Sequence, residues 1–373
     1  MYYGYIVVIA CFIIFVVIYG VHYTFGLYLK PILAEFGWSR GVTSGAYSVS
    51  WLLQGPSSLL MGWLNDKYGP RIVLSLCGIS LFLGIFLTTH IRESWQLYLF
   101  YGVFTGIGTG GVYVSIVSTV ARWFSEKRAR MTGIAISGMG FGTFLFSPLA
   151  NYFITNYGWR YSYTVLGFTL LIVTTLAAQM LKLKPDFTIS YSGFEIIDEN
   201  KNNSIHDNSE TLKEAVVLME FWKIFGMLFC FGFCLMAIMV HIAPHAIDIG
   251  KTAVLASKLV ATIGISSIAG KIVFGYFGDR IGSKKIYIIC FAIMSFSLLI
   301  AIATQEVILL YMFAVMFGLA YGGNACSLSP LAAEMFGLRS HGAITGALNT
   351  GFTFGATMGP LVSGLWFSIR YEW

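Results

Sequence analysis

The sequence predicts an all-α polytopic membrane protein built from two pseudo-symmetric six-helix bundles. Three observations predict it. The composition is too apolar for a soluble chain, apolar runs of spanning length recur along it, and an internal repeat returns at one offset. Of the 373 residues, 57% are hydrophobic and 11% charged, with a mean hydropathy of +0.76; a soluble globular chain carries about 25% charge. A run of about 20 apolar residues crosses a bilayer as a helix. An ordinary soluble enzyme is therefore excluded.

Taken in order, helices are expected at residues 4–29, 43–64, 72–90, 96–121, 130–155 and 161–181 in the first half. The second half continues with 221–247, 253–278, 285–303, 306–333 and 343–368. The first run is too long for a signal peptide and lacks a polar leader, so it is expected to stay as a helix. Between the sixth and seventh helices lies a polar stretch containing "DENKNNSIHDNSE", which cannot bury a core and is expected to be a flexible loop. This divides the chain into a bundle over 1–181, a central loop over 182–218 and a second bundle over 219–373.

Basic residues sort by loop. Loops after even-numbered helices carry Lys67 and Arg71, then Arg122, Lys127, Arg128 and Arg130, then Lys182 and Lys184. The second half adds Arg280, Lys284 and Lys285, and Arg339. Loops after odd-numbered helices are poorer, with Lys30, Arg40, Lys251 and Lys258 as exceptions. The positive-inside rule then puts the amino terminus and the central loop in the cytoplasm, with the helices in the plasma (inner) membrane.

The repeat sets the architecture. "GWLNDKYGPR" begins at Gly62 and "GYFGDRIGSK" at Gly275, 213 residues later; Gly133 and Gly346 stand at the same offset. Pro148-Leu149 matches Pro360-Leu361 at 212. Several anchors at one spacing indicate two homologous halves, as in parallel-repeat transporters. By the same offset "YGW" at Tyr157 opens the sixth helix and "YEW" at Tyr371 would open the twelfth. The chain is thus expected to be truncated before its twelfth helix.

The doubled G-x-x-x-D-[RK]-x-G-x-[RK] pattern resembles the loop signature of the major facilitator superfamily, and the resemblance covers the whole chain. It falls on Gly62, Asp66, Lys67, Gly69 and Arg71, and on Gly275, Asp279, Arg280, Gly282 and Lys284. Glycine lets helices approach closely, and the aspartates and bases are expected to form a charge network that gates the halves. Within that superfamily the chain is similar to the monocarboxylate transporter and oxalate/formate exchanger branch. The similarity lies in "YTFGLYLKPILAEFGWSR", "RWFSEKRARMTGIAISGMGFG" with Tyr113, "VHIAPHAIDIG" and "SPLAAEMFGLRSHGAITG".

One cation stands inside a spanning run: Lys271, in "SSIAGKIVFG", eight residues before Asp279. That is about 12 Å along the axis, near the middle of a ~30 Å core. Snorkelling to the cytoplasmic headgroups is the bland explanation. Side chains lean toward a helix's amino terminus, however, and the eighth helix runs inward, so Lys271 leans away from the cytoplasm. Exposure to lipid costs about 2.5 kcal/mol or more; a polar cavity is the better surrounding. Its counterpart 213 residues earlier is Ser58, so the charge is an addition to one half. The resemblance implies that this position holds the cation that binds a substrate carboxylate, usually an arginine. Lysine keeps the charge without the bidentate fork.

The resemblance further implies substrate contacts at Tyr113, with looser matches at Tyr321 and Asn324. It also sets Ser267 where some relatives keep an acid one turn before the cation. The proton carrier stays open among Lys271, His241, His245 and His22, because no Asp or Glu lies mid-membrane. A dianion exchanger of this branch is expected to carry a second cation in the eleventh helix, and residues 343–367 hold none. The implied function is transport: secondary active symport of a small monocarboxylate (lactate- or pyruvate-like) with a proton, by alternating access. The alternatives are carboxylate exchange of the formate/oxalate type, with a counter-anion, and a non-transporting membrane sensor or scaffold. The expected partners are the carboxylate anion, the proton or counter-anion and the lipid bilayer.

No catalytic set, cofactor motif, metal cluster or nucleic-acid patch stands out. Gly106, Gly108 and Gly111 satisfy G-x-G-x-x-G but lie inside a spanning helix with no preceding strand. All six cysteines fall in apolar segments and are expected to be small buried side chains.

Overall fold

The computed structural model describes residues 3–182, 210–303 and 306–371, and among these the regular structure is helical throughout. Most of the expected central loop lies outside the described residues. In order, the long helices are α1 (Tyr3–Phe36), α2 (Arg40–Tyr68), α3 (Pro70–Thr88), α4 (Ser94–Trp123), α5 (Arg128–Tyr157) and α6 (Trp159–Gln179). After the central stretch come α7 (Met219–Asp248), α8 (Ala253–Ile281), α9 (Ser283–Ala303), α10 (Val307–Phe336) and α11 (His341–Tyr371). The chain is a multi-pass membrane protein: nine of these helices are apolar enough to cross a bilayer. The other two, α2 and α11, are richer in Gly, Ser and Thr, and they pack along each other between the halves.

Three local features depart from the expected helices. The first helix runs on to Phe36 but is interrupted at Thr24, whose Oγ1 donates to the Val21 carbonyl at 2.7 Å. The fourth contains a π-helical stretch, Tyr98–Thr105. The central segment is not all loop: Leu212–Val217 forms a short helix with a reciprocal cap between Thr211 and Glu214. The cysteines also divide, because Cys230 stands exposed on α7 while Cys11, Cys77, Cys290 and Cys326 are buried.

Two hydrophobic cores form, one from Val7 to Leu181 and one from Ala215 to Leu348. The halves meet along two equivalent seams, α2 on α11 and α5 on α8. Missing side chains make these seams close. A Cβ at Gly62 would strike the Gly342 carbonyl, and one at Gly275 would lie 2.9 Å from the Ala129 carbonyl. Deeper in, Gly133 lies against the carbonyl of Lys271, and Gly346 against that of Ser58. The repeat is therefore legible in the contacts, because each pair maps onto the other at the same offset. Gly133→Val is expected to destabilise the α5–α8 seam by about 1–3 kcal/mol, read as a lower melting temperature of the purified chain.

The signature residues explain their own duplication. Gly69 and Gly282 end α2 and α8 at φ of +83° and +90°, where side-chain-bearing residues are strained. Asp66 accepts from the backbone N–H groups of Gly342 (3.0 Å) and Ala343 (2.9 Å) at the start of α11. Asp279 does the same at the start of α5, with Ala129 at 2.7 Å and Arg130 at 3.1 Å. Each carboxylate thus faces the positive end of a helix from the opposite half. The signature's bases do not pair with these carboxylates. Lys67 lies over Trp63 and Tyr68, Arg71 donates to the Leu181 carbonyl at 2.5 Å, and Arg280 lies over Tyr276. The cation beside Asp66 is Arg122 of α4, with both side chains buried. The expected charge network is a pair of cross-half latches instead.

Candidate functional site

Between the two seams, a cavity of about 70 Å³ lies between the halves. Its walls come from α1, α2, α4 and α5 of the first half and from α7 to α11 of the second. Lys271 lines it and is only 2% exposed. Tyr113, Tyr321 and Asn324 line it too, so four of the five residues expected to bind substrate come together. The fifth, Ser267, does not line this cavity: its Oγ turns back to the Gly264 carbonyl at 2.8 Å. It shares a helix face with Lys271, but the short side chain bonds within its own turn.

The electrostatics of the cavity centre on one charge. Among the described residues, no hydrogen bond or ion pair holds Lys271, and no acidic or histidine side chain lines the cavity. The ammonium lies over the ring of Tyr321, 5.4 Å from its centroid. Such a contact gives about 0.5–2 kcal/mol, whereas withdrawing an ion from water costs several. The cavity therefore favours an anionic occupant. Ser58 shows how the first half differs: the side chain at the equivalent position donates to the Gly346 carbonyl at 2.9 Å and is buried in the seam.

The other walls are mostly aromatic and amide. Tyr113 spends its hydroxyl proton on the Ala325 carbonyl, 3.1 Å away in the other half, so it clasps the halves at the cavity's edge. Sequence reasoning missed Gln54, Asn349, Trp51, Tyr19 and Tyr287. In an apolar helix an aromatic or amide residue looks like packing, and only the helix rotation separates the two. The repeat offset, which relates α2 to α8, was the one signal available for Gln54 near Ser58.

The proton candidates separate from the site. His22 is buried beside Tyr47 and Tyr101, with ring centroids 5.3 and 6.2 Å away. On α7, His241 contacts the Pro360 carbonyl at 3.3 Å, and His245 is exposed. None of the three lines the cavity. A histidine not considered from sequence, His341, is buried at the α11 latch, where its Nε2 donates to the Ser329 carbonyl at 3.1 Å. His245→Gln is expected to change substrate affinity by no more than about twofold, measured by binding to the purified chain.

A family profile described as Major Facilitator Superfamily matches residues 11–270 and 224–373. The chain belongs to this superfamily. Among superfamily relatives it is 25% identical over 333 residues to "Monocarboxylate transporter 13" of Rattus norvegicus, spanning 88% of this chain and 73% of that one. It is 24% identical over 351 residues to the "Oxalate:formate antiporter" of Oxalobacter formigenes, spanning 92% and 81%. These relatives are transporters rather than enzymes. The fold matches that of the proton:xylose symporter XylE with a TM-score of 0.73, at 13% identity, covering 99% of this chain and 89% of that one. It also matches the human organic anion transporter MFSD10 with a TM-score of 0.71, at 15% identity, covering 98% and 94%.

Proposed function

We propose that the chain is a secondary active transporter of small monocarboxylates, working by alternating access. The observation that carries this reading is Lys271, a buried cation with no counter-ion among the described residues, in a cavity walled by both halves. The relatives named as monocarboxylate transporters and as an oxalate:formate antiporter support a carboxylate as the anion. An anion neutralises the ammonium and lowers the cost of closing the cavity around it. Tyr321 and Asn324 flank the anion, and Tyr113 adds its ring. The bundles, 1–181 and 219–373, rock about this site. The latches at Asp66 and Asp279 close the end that faces the cytoplasm, where the amino terminus and central segment lie. The membrane is the plasma (inner) membrane.

Proton-coupled symport is the primary reading of the energetics, with Lys271 as the one proton-exchanging candidate that lines the cavity. The absence of an acid or histidine from the described lining also favours a second reading, exchange of one carboxylate for another, which needs no proton carrier. Proteoliposomes decide between them. Uptake of labelled lactate driven by an inward pH gradient, with no anion inside, is the symport result. Uptake that occurs only with internal carboxylate selects exchange. No uptake under either condition leaves neither, and returns the chain to a membrane sensor or scaffold.

A further inference from the structure

Two residues of the cavity wall each carry a deeply buried polar atom without a hydrogen-bonding partner among the described residues: Asn324 Oδ1 and the Tyr287 hydroxyl. Asn324 is 0% exposed and Tyr287 1%. Other unpartnered buried groups, such as Tyr163, Thr132 and Ser75, belong to residues that do not line this cavity. Two glycines bring the pair toward Lys271. At Gly322 a Cβ would lie 2.7 Å from the Lys271 backbone nitrogen, and at Gly323 it would strike the Cys290 sulfur. α10 therefore approaches α8 and α9 closely just before Asn324, and Tyr287 stands one turn before Cys290.

We propose that Asn324 and Tyr287 read a hydrogen-donating substituent on the anion that Lys271 holds. The site then prefers hydroxy-substituted monocarboxylates to unsubstituted and oxo-substituted ones. This inference rests on the anion reading above. An amide oxygen only accepts, and an ionised carboxylate only accepts. The carboxylate that satisfies Lys271 therefore cannot satisfy Asn324 Oδ1, and the donor must be a second group on the same molecule. The amide nitrogen makes a weak 4.0 Å contact with the Met294 sulfur, while the oxygen has no partner among the described residues. Tyr113 cannot meet the need, since its proton is committed to Ala325. The donor is neutral: an ammonium group would place a second cation beside Lys271 with no acidic side chain in the described lining to balance it. A hydroxyl fits, and it can also accept from Tyr287.

The test is competition binding to the full chain in nanodiscs with four acids of equal length: 2-hydroxypropanoate, 2-oxopropanoate, propanoate and 2-aminopropanoate. The hydroxy acid is expected to bind about tenfold or more tighter than propanoate, because the alternative strands a buried acceptor. The oxo acid, which can accept from Tyr287 but leaves Asn324 Oδ1 unmet, should fall between the hydroxy acid and propanoate, and the amino acid should bind weakest. Asn324→Leu keeps the volume and removes the acceptor, so the hydroxy/unsubstituted ratio is expected to fall to within about threefold. Tyr287→Phe, which keeps the ring, should lower the same ratio and serves if the Asn324 variant does not fold. Equal binding of hydroxy and unsubstituted acids by the unmodified chain overturns the proposal while leaving the anion reading standing. So does an unchanged ratio in the variants. Failure of all four acids to bind overturns the anion reading, and this inference with it.

Discussion

Lys271→Gln is expected to make the protein more stable and unable to bind its anion. Both effects follow from one imbalance. The ammonium is buried, and the Tyr321 ring lies beside it as a favourable contact. A neutral amide of similar length removes most of the desolvation penalty and forfeits the weaker ring contact. The unliganded chain should gain about 1–2 kcal/mol, or a few degrees in melting temperature. Anion binding should weaken by about 30-fold or more, since removing one partner of a buried charge pair costs about 2–5 kcal/mol. Thermal shift measured with and without carboxylate reads both at once: a higher baseline and no ligand-induced increase. Lys271→Arg keeps the charge and should retain binding. If the glutamine variant still shows the full ligand-induced shift, Lys271 is not the anion's anchor.

That lysine was legible in the sequence for the same reason that it is costly. A charge in a long apolar run cannot be overlooked, and its lean and depth follow from helix geometry. The repeat was equally legible, because Asp66 and Asp279, and Gly62 and Gly275, lie at one offset and make equivalent contacts. What could not be read was partner choice. Arg71 and Arg280 sit near the aspartates in sequence, yet Arg122 reaches Asp66 from another helix, and backbone N–H groups satisfy both carboxylates. Sequence spacing orders neighbours along one helix but says nothing of the helix opposite. The same limit hid Tyr287 and Asn349, which differ from packing residues only in the direction they face. It also promoted Ser267, whose place one turn from Lys271 was right while its hydroxyl stayed with its own backbone.

The latches should respond unequally to the same substitution. Asp279→Asn weakens a cap on α5 at a half-buried position, which should cost about 1 kcal/mol. Asp66→Asn also weakens a cap, on α11, but it leaves the buried Arg122 guanidinium without its carboxylate. Breaking a buried pair from one side costs about 3–5 kcal/mol. The Asp66 variant should therefore show the larger fall in melting temperature. It should also show freer access to the cavity from the latched end, read as faster labelling of a cysteine introduced at Leu328 on the cavity wall. Adding Arg122→Gln to Asp66→Asn removes the guanidinium as well and should recover part of the lost stability, which is the coupling expected of residues in contact. Equal effects of the two aspartate variants would mean that helix capping alone holds the latches shut and the buried ion pair adds nothing. A double variant no more stable than Asp66→Asn would lead to the same conclusion, so the two comparisons separate charge pairing from capping at two seams whose contacts otherwise match.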